Sequence, residues 1–240
     1  MSRVADLTWI DVRDALERGA PAILPVGAAA KQHGLHLPMS TDQLTAEAMA
    51  ARVAERVDGL AWPTVGYGHY PAFLDYPGST SLPADVFSGV IEALLRDLVR
   101  AGAQRILILN TGISTIRPIE HARELVDADI TVAHLYRGER YLATKRAVCT
   151  QERGEHADEA ETSVMLHLHP ERVNLAKARV WTTPVQPGRW TPTDPSSPSY
   201  SPQGVFGDPT HATAAKGAHL LEAMLEDTLR ILGHRDGVYL

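Results

Sequence analysis

Two short stretches concentrate side chains able to bind a metal or move a proton. The first runs Gly27–Asp42 and carries Lys31, His33, His36 and Asp42. Imidazole and carboxylate are the ligand types of zinc and manganese, so two histidines and an aspartate this close suggest a metal or acid–base site. The second runs Gly154–Ser163 and carries His156 and Glu161 among Glu155, Asp158 and Glu159. On one helix, His156 and Glu161 would lie about 140° apart. They converge only if His156 stands at or before the first turn. The plainer alternative is an acidic helix start, with carboxylates at the positive end of the dipole. A third stretch, Asn110–Thr115, reads most simply as a tight strand-to-helix turn capped by Ser114 or Thr115. Pro77–Thr80 reads as a turn, His167 and His169 do not share a helical face, and Cys149 reads as a packed or surface thiol.

These stretches need elements to hold them. Pro21–Gly27 reads as a buried strand, near an edge or strand end because of Pro25. Arg105–Asn110 is the clearest buried strand and Ile130–Leu135 a third. Apolar spacing predicts helices over 41–57, 82–100, about 116–126, 156–169 and 210–232. Val86, Val90, Ile91, Leu94, Leu95 and Leu98 form the stripe of the second helix, with Gly102 as its stop. Strands separated by helices this long predict parallel units and an α/β layered fold. Ligands of such sheets sit beyond the carboxyl ends of the strands, where the first and third stretches fall. Segment 184–202 is rich in Pro, Ser and Thr, has no periodicity, and reads as a lid or an oligomer contact. Trp181, Trp190, Tyr200 and Phe206 around it wall a pocket or pack on a neighbouring subunit, the second being the better fit.

Composition narrows the class. At 240 residues, with 44% hydrophobic and 22% charged positions, residues 1–240 read as a single globular domain. A net charge of −6 argues against a nucleic-acid binder. One cysteine excludes an internal disulfide and a cysteine-built zinc site. The first residues lack an apolar signal core, and no run approaches the about 18 apolar residues of a membrane span. The expectation is a cytoplasmic protein acting on a small molecule, with neither nucleic acid nor membrane as partner.

At this point the motifs resemble those of a known family. Pro25-Val26-Gly27, Lys31-Gln32-His33-Gly34-Leu35-His36-Leu37-Pro38 and Thr41-Asp42 resemble the creatininase (creatinine amidohydrolase) signature, Pro-Val-Gly-x-x-Glu-Gln-His-Gly-x-His-Leu-Pro followed by Thr-Asp. Glu155-His156-Ala157 through Glu161-Thr162-Ser163 is similar to the family's His-Ala-Gly-x-x-Glu-Thr-Ser segment. Pro77–Leu82 and Gly204–Pro209 are similar to two further family elements. The resemblance implies a three-layer α/β fold, a mainly parallel sheet flanked by helices, and a homo-oligomer, often a hexamer. It also implies cleavage of cyclic amides or other non-peptide C–N bonds by water held between two metal ions.

Departures from the family pattern sharpen the reading. The family's first-loop glutamate is Lys31 here, and a protonated lysine cannot coordinate a cation. The family's Asn-Gly-His becomes Asn110-Thr111-Gly112, and Ser114 stands where creatininase carries a second-metal glutamate. Three readings follow. One is a hydrolase with a reduced site: a single zinc, manganese or iron ion on His33, Asp42 and Glu161, with His156 as acid/base and Lys31 facing the substrate oxygen. The second is a metal-free enzyme using Lys31 as Schiff-base nucleophile, general base or partner of Ser114. The third is an inactive family member kept as a binding or oligomer-forming subunit.

Overall fold

A computed structural model describes residues 2–236. Strands β1 (Ser2–Arg3), β2 (Ala22–Val26), β3 (Leu60–Ala61), β4 (Arg105–Asn110) and β5 (Asp129–His134) form one parallel sheet in the order β1-β3-β2-β4-β5. The helices are α1 (Trp9–Glu17), α2 (Thr41–Val57), α3 (Ala84–Arg100), α4 (Ile116–Glu124), α5 (Glu139–Val148), α6 (Glu159–Leu168) and α7 (Ala214–Asp236).

Strand residues alternate between two cores, as a pleated strand requires. Ala22, Leu24, Val26, Ile106 and Ile108 pack with Leu16 of α1, Phe87, Ile91 and Leu95 of α3, and Ile119 of α4. Ile23, Leu107 and Leu109 face Met49 and Val53 of α2, Val164 of α6, and Leu220, Leu221 and Met224 of α7. The molecule is therefore the three-layer α/β sandwich expected. Among the described residues no helix is long and apolar enough to cross a membrane.

Three expectations are corrected. Pro25 lies in a central strand and not near an edge, although it stands one residue from the strand's end, the other placement expected of it. Its carbonyl faces the β3 side, accepting from Val65 N–H at 2.9 Å. The missing N–H of proline falls on that same side, beyond the two paired residues of β3, so no ladder bond toward β4 is lost. Helix α6 begins at Glu159 and not at 156, because Asp158 caps it. Helix α7 begins at Ala214 and not at 210, since Asp208 caps a separate 3₁₀ turn, Pro209–His211. Elements α1, α5, β1 and β3 were not anticipated; β1 and β3 are two residues each, too short for any periodicity.

Candidate active site

The first stretch leaves β2 and returns at the first turn of α2. A Cβ at Gly27 would collide with the Asp42 carbonyl, so glycine lets the helix start dock against the strand end. That docking sets Asp42 over the sheet, fully buried. Lys31 Nζ pairs with Asp42 Oδ2 at 2.6 Å, and both side chains are nearly dry. Burial raises the Asp42 carboxyl, but Lys31 and His33 outweigh it and hold the group well below the usual carboxylate range.

His33 lies between two acceptors. Its Nδ1 is 2.9 Å from the Lys31 carbonyl and its Nε2 is 3.2 Å from Asp42 Oδ1. A carbonyl only accepts, so Nδ1 carries a proton; Nε2 faces a carboxylate oxygen, which also only accepts. That contact repels unless a proton or a metal ion lies between.

The second stretch closes from above. Asp158 Oδ1 accepts from Glu161 N–H at 3.0 Å, while Oδ2 takes the Lys145 ammonium at 2.9 Å and the Gln151 amide at 2.6 Å. His156 is thereby left before the first turn, the one placement in which it can meet Glu161. Ala157 is left-handed at φ 48, a costly conformation for a residue with a Cβ, and donates its N–H to Glu161 Oε2 at 2.5 Å. His156 Nδ1 stands 3.8 Å from Glu161 Oε2. Its Nε2 is 3.0 Å from both the carbonyl and the side-chain amide nitrogen of Gln32. Burial, then His33 and Lys31, pushes the His156 imidazole well below its ordinary value. Burial raises Glu161 against the opposing pull of His33 and Lys31.

His33, His156 and Glu161, all buried, each offer a donor atom within 4.8 Å of the others. Two imidazoles and a carboxylate are donor types suited to zinc or manganese. The Lys31 ammonium already balances the Asp42 carboxylate at Oδ2. The set that converges thus contains His156, expected as acid/base, in place of Asp42, expected as ligand.

The third stretch behaves as a turn. Asn110 accepts from Gly112 N–H and Thr115 Oγ1 and donates to the Gly112 carbonyl. Ser114 Oγ donates to the His69 carbonyl at 2.5 Å and lines an open cleft of about 310 Å³ with Asp85 and Arg117. Among the described residues no hydrogen bond joins Ser114 to Lys31, so the structure does not assemble the serine–lysine pair. His36, buried, bonds Thr162 Oγ1 at 2.8 Å, and burial and His33 bring it down to about 4.

Sequence reasoning missed several neighbours. The Lys31 ammonium lies 5.5 Å from the Tyr70 ring centre and 5.3 Å from that of Phe73. Phe73 packs on His156 at 4.5 Å. Gln32 stands inside the Lys31–Pro38 motif and was readable there; Tyr70 and Phe73 carry no signal beyond being aromatic. Of the aromatics around 184–202, Trp190 reaches His156 at 5.5 Å. Trp181 instead meets Tyr200 edge-on, and Phe206 pairs its main chain with His156.

The chain as a whole has relatives. Residues 5–232 match the creatininase family, described as creatinine amidohydrolase. A creatinine amidohydrolase of Pseudomonas putida is 31% identical, covering 93% of each chain. A mycofactocin precursor peptide peptidase of Mycobacterium tuberculosis is 28% identical over 87% of this chain and 82% of its own. A solved structure described as creatininase Mn superposes with a TM-score of 0.81 at 26% identity, covering 98% of this chain and 99% of its own.

Proposed function

Because this chain belongs to the creatininase family, we propose that it is an amidohydrolase-type enzyme cleaving a small amide, cyclic or otherwise non-peptide, around a single divalent ion. The observation that carries the reading is the convergence of His33, His156 and Glu161 beside a Lys31–Asp42 pair that is already charge-balanced. When bound, the ion would supply Lewis acidity and a water acidic enough to attack at neutral pH.

The chain's own residues do the rest. The Lys31 ammonium, 2.6 Å from Asp42 Oδ2, is placed to donate to the substrate carbonyl oxygen. Gln32 holds the His156 ring at Nε2 and leaves Nδ1 toward Glu161. Phe73 and Trp190 keep water from the ring's other faces. Homo-oligomeric assembly and a cytoplasmic setting belong to the same proposal.

The test is elemental mass spectrometry on untagged protein, paired with ring opening of creatinine and small lactams. About one equivalent of zinc, manganese or iron per chain is expected, lost in His33→Gln and Glu161→Gln together with turnover. A metal-free protein whose turnover survives chelation but not Lys31→Met would overturn the reading in favour of lysine chemistry.

A further inference from the structure

The reactive cluster is shut. The Lys31, His33 and His156 side chains are 7%, 0% and 7% exposed, too little for a substrate to touch them. Two rings form the cover. Phe73, ending the 3₁₀ turn Pro71–Phe73, packs on His156 at 4.5 Å, and Trp190 meets Phe73 at 5.4 Å and His156 at 5.5 Å. Trp190 N–H donates to the Ala72 carbonyl at 2.8 Å, and Arg189 pairs with Asp75 at 2.5 Å on the surface. The loop around Trp190 is otherwise bonded to itself: Gln186 N–H to Pro198, Thr191 N–H to Ser199, Ser201 N–H to Thr191. Its base is fixed where the buried Tyr76 hydroxyl donates to the Ser201 carbonyl at 2.6 Å. A self-bonded tip on a fixed base moves as one piece.

We propose that residues 186–199 are the entrance gate of this site, with Trp190 closing against Phe73 and the Arg189–Asp75 pair as its latch. The proposal rests on the reading of the Lys31–His156 cluster as the reactive site, but not on its metal. An exposed ion pair is weak and screened by salt, so the latch opens readily and more often as ionic strength rises. Trp190, held by ring contacts and one backbone bond, then swings away from Phe73 with its loop and exposes a face of His156 to solvent.

Diethyl pyrocarbonate modifies neutral imidazole free of metal, so its reaction with His156 in chelator-treated protein, followed by peptide mass spectrometry, reads the gate without substrate. Exposed His211 and buried His36 serve as references. The wild-type protein should label His156 at least tenfold slower than His211, and faster in 0.5 M than in 0.05 M NaCl (about 5 and 14 Å of screening length). Asp75→Asn and Arg189→Gln should raise the low-salt rate several-fold and remove the salt dependence. Trp190→Ala should raise it further, with His36 still unlabelled. Wild-type His156 labelling as fast as His211 would overturn the gate, as would unchanged rates in both Asp75→Asn and Trp190→Ala. Parallel labelling of His36 would also overturn it, by showing global opening instead. None of these outcomes depends on turnover, so the proposed chemistry and the gate can fail separately.

Discussion

Lys31 and Asp42 form an ion pair with almost no access to water, and neither charge is tolerable without the other. Removing one partner of a buried pair typically costs about 3–5 kcal/mol, because the remaining charge is stranded. Lys31→Met should therefore lower the urea-derived stability by about that amount, and adding Asp42→Asn should recover most of it. A double mutant no more stable than Lys31→Met would show that the lysine contributes something other than charge balance. Tyr70 makes the opposite case. Its hydroxyl is buried with no hydrogen-bond partner among the described residues, and burial, with Asp42, keeps the phenol protonated. Tyr70→Phe should leave stability equal or higher by up to about 1–2 kcal/mol in the same assay. His36 ties the site to pH. Its folded value near 4 lies below the unfolded 6.5. Between those values the unfolded chain holds a proton that the folded one does not, so stability rises with pH across the window. It is complete above about pH 6.5 and falls toward pH 4, by an amount of order 3 kcal/mol. Denaturation midpoints from pH 7.5 to 4.5 in wild type and His36→Gln should show this slope reduced in the variant.

Helix α6 shows how an element start can set chemistry. Four acids cluster there, yet the structure gives three of them separate tasks: Asp158 caps the helix and takes Lys145, Glu159 binds Thr150, Gln151 and Lys216, and Glu161 turns into the site. Asp158→Ala should cost at least about 2 kcal/mol, from the lost cap and the stranded lysine. It should also weaken metal retention, because the turn that places Glu161 beside His156 loosens. Intact metal affinity in a destabilised Asp158→Ala would show that Ala157 and the Phe206 main chain suffice to hold the turn. Pro25 teaches the same lesson about strands: proline survives in a central strand where its neighbour is cut short.

At the scale of the molecule, the sheet gathers three loops at the carboxyl ends of β2, β4 and β5; segment 154–163 meets the first of them where His156 bonds Gln32, and Trp190 of segment 184–202 packs on that same histidine. Large apolar side chains remain on the outside, with Trp9 72%, Leu35 53% and Ile113 50% exposed. Exposed groups of this size suit further burial between subunits. Light scattering should report a multiple of the chain mass, and Trp9→Lys should shift it downward if α1 lies in the contact. A monodisperse monomer would remove the oligomer from the proposal.

Much of this was legible in the chain alone. Short apolar runs marked β2, β4 and β5, since a strand covered on both faces is apolar throughout, and helical spacing marked the longer helices, whose single buried face repeats its apolar residues. The motifs around His33 and His156 disclosed the family, and Lys31 marked a departure from its pattern, since an ammonium has no lone pair to give. Partnership was decided only by folding. That Asp42 goes to Lys31 and His156 joins His33 and Glu161 depends on distances of a few ångströms between segments far apart in the chain. That Phe73 and Trp190 cover them, while Ser114 turns to the His69 carbonyl, depends on the same packing. Residue type states which contacts are possible; which of them form is settled by the packing of α2, α6 and the 184–202 segment around one sheet end.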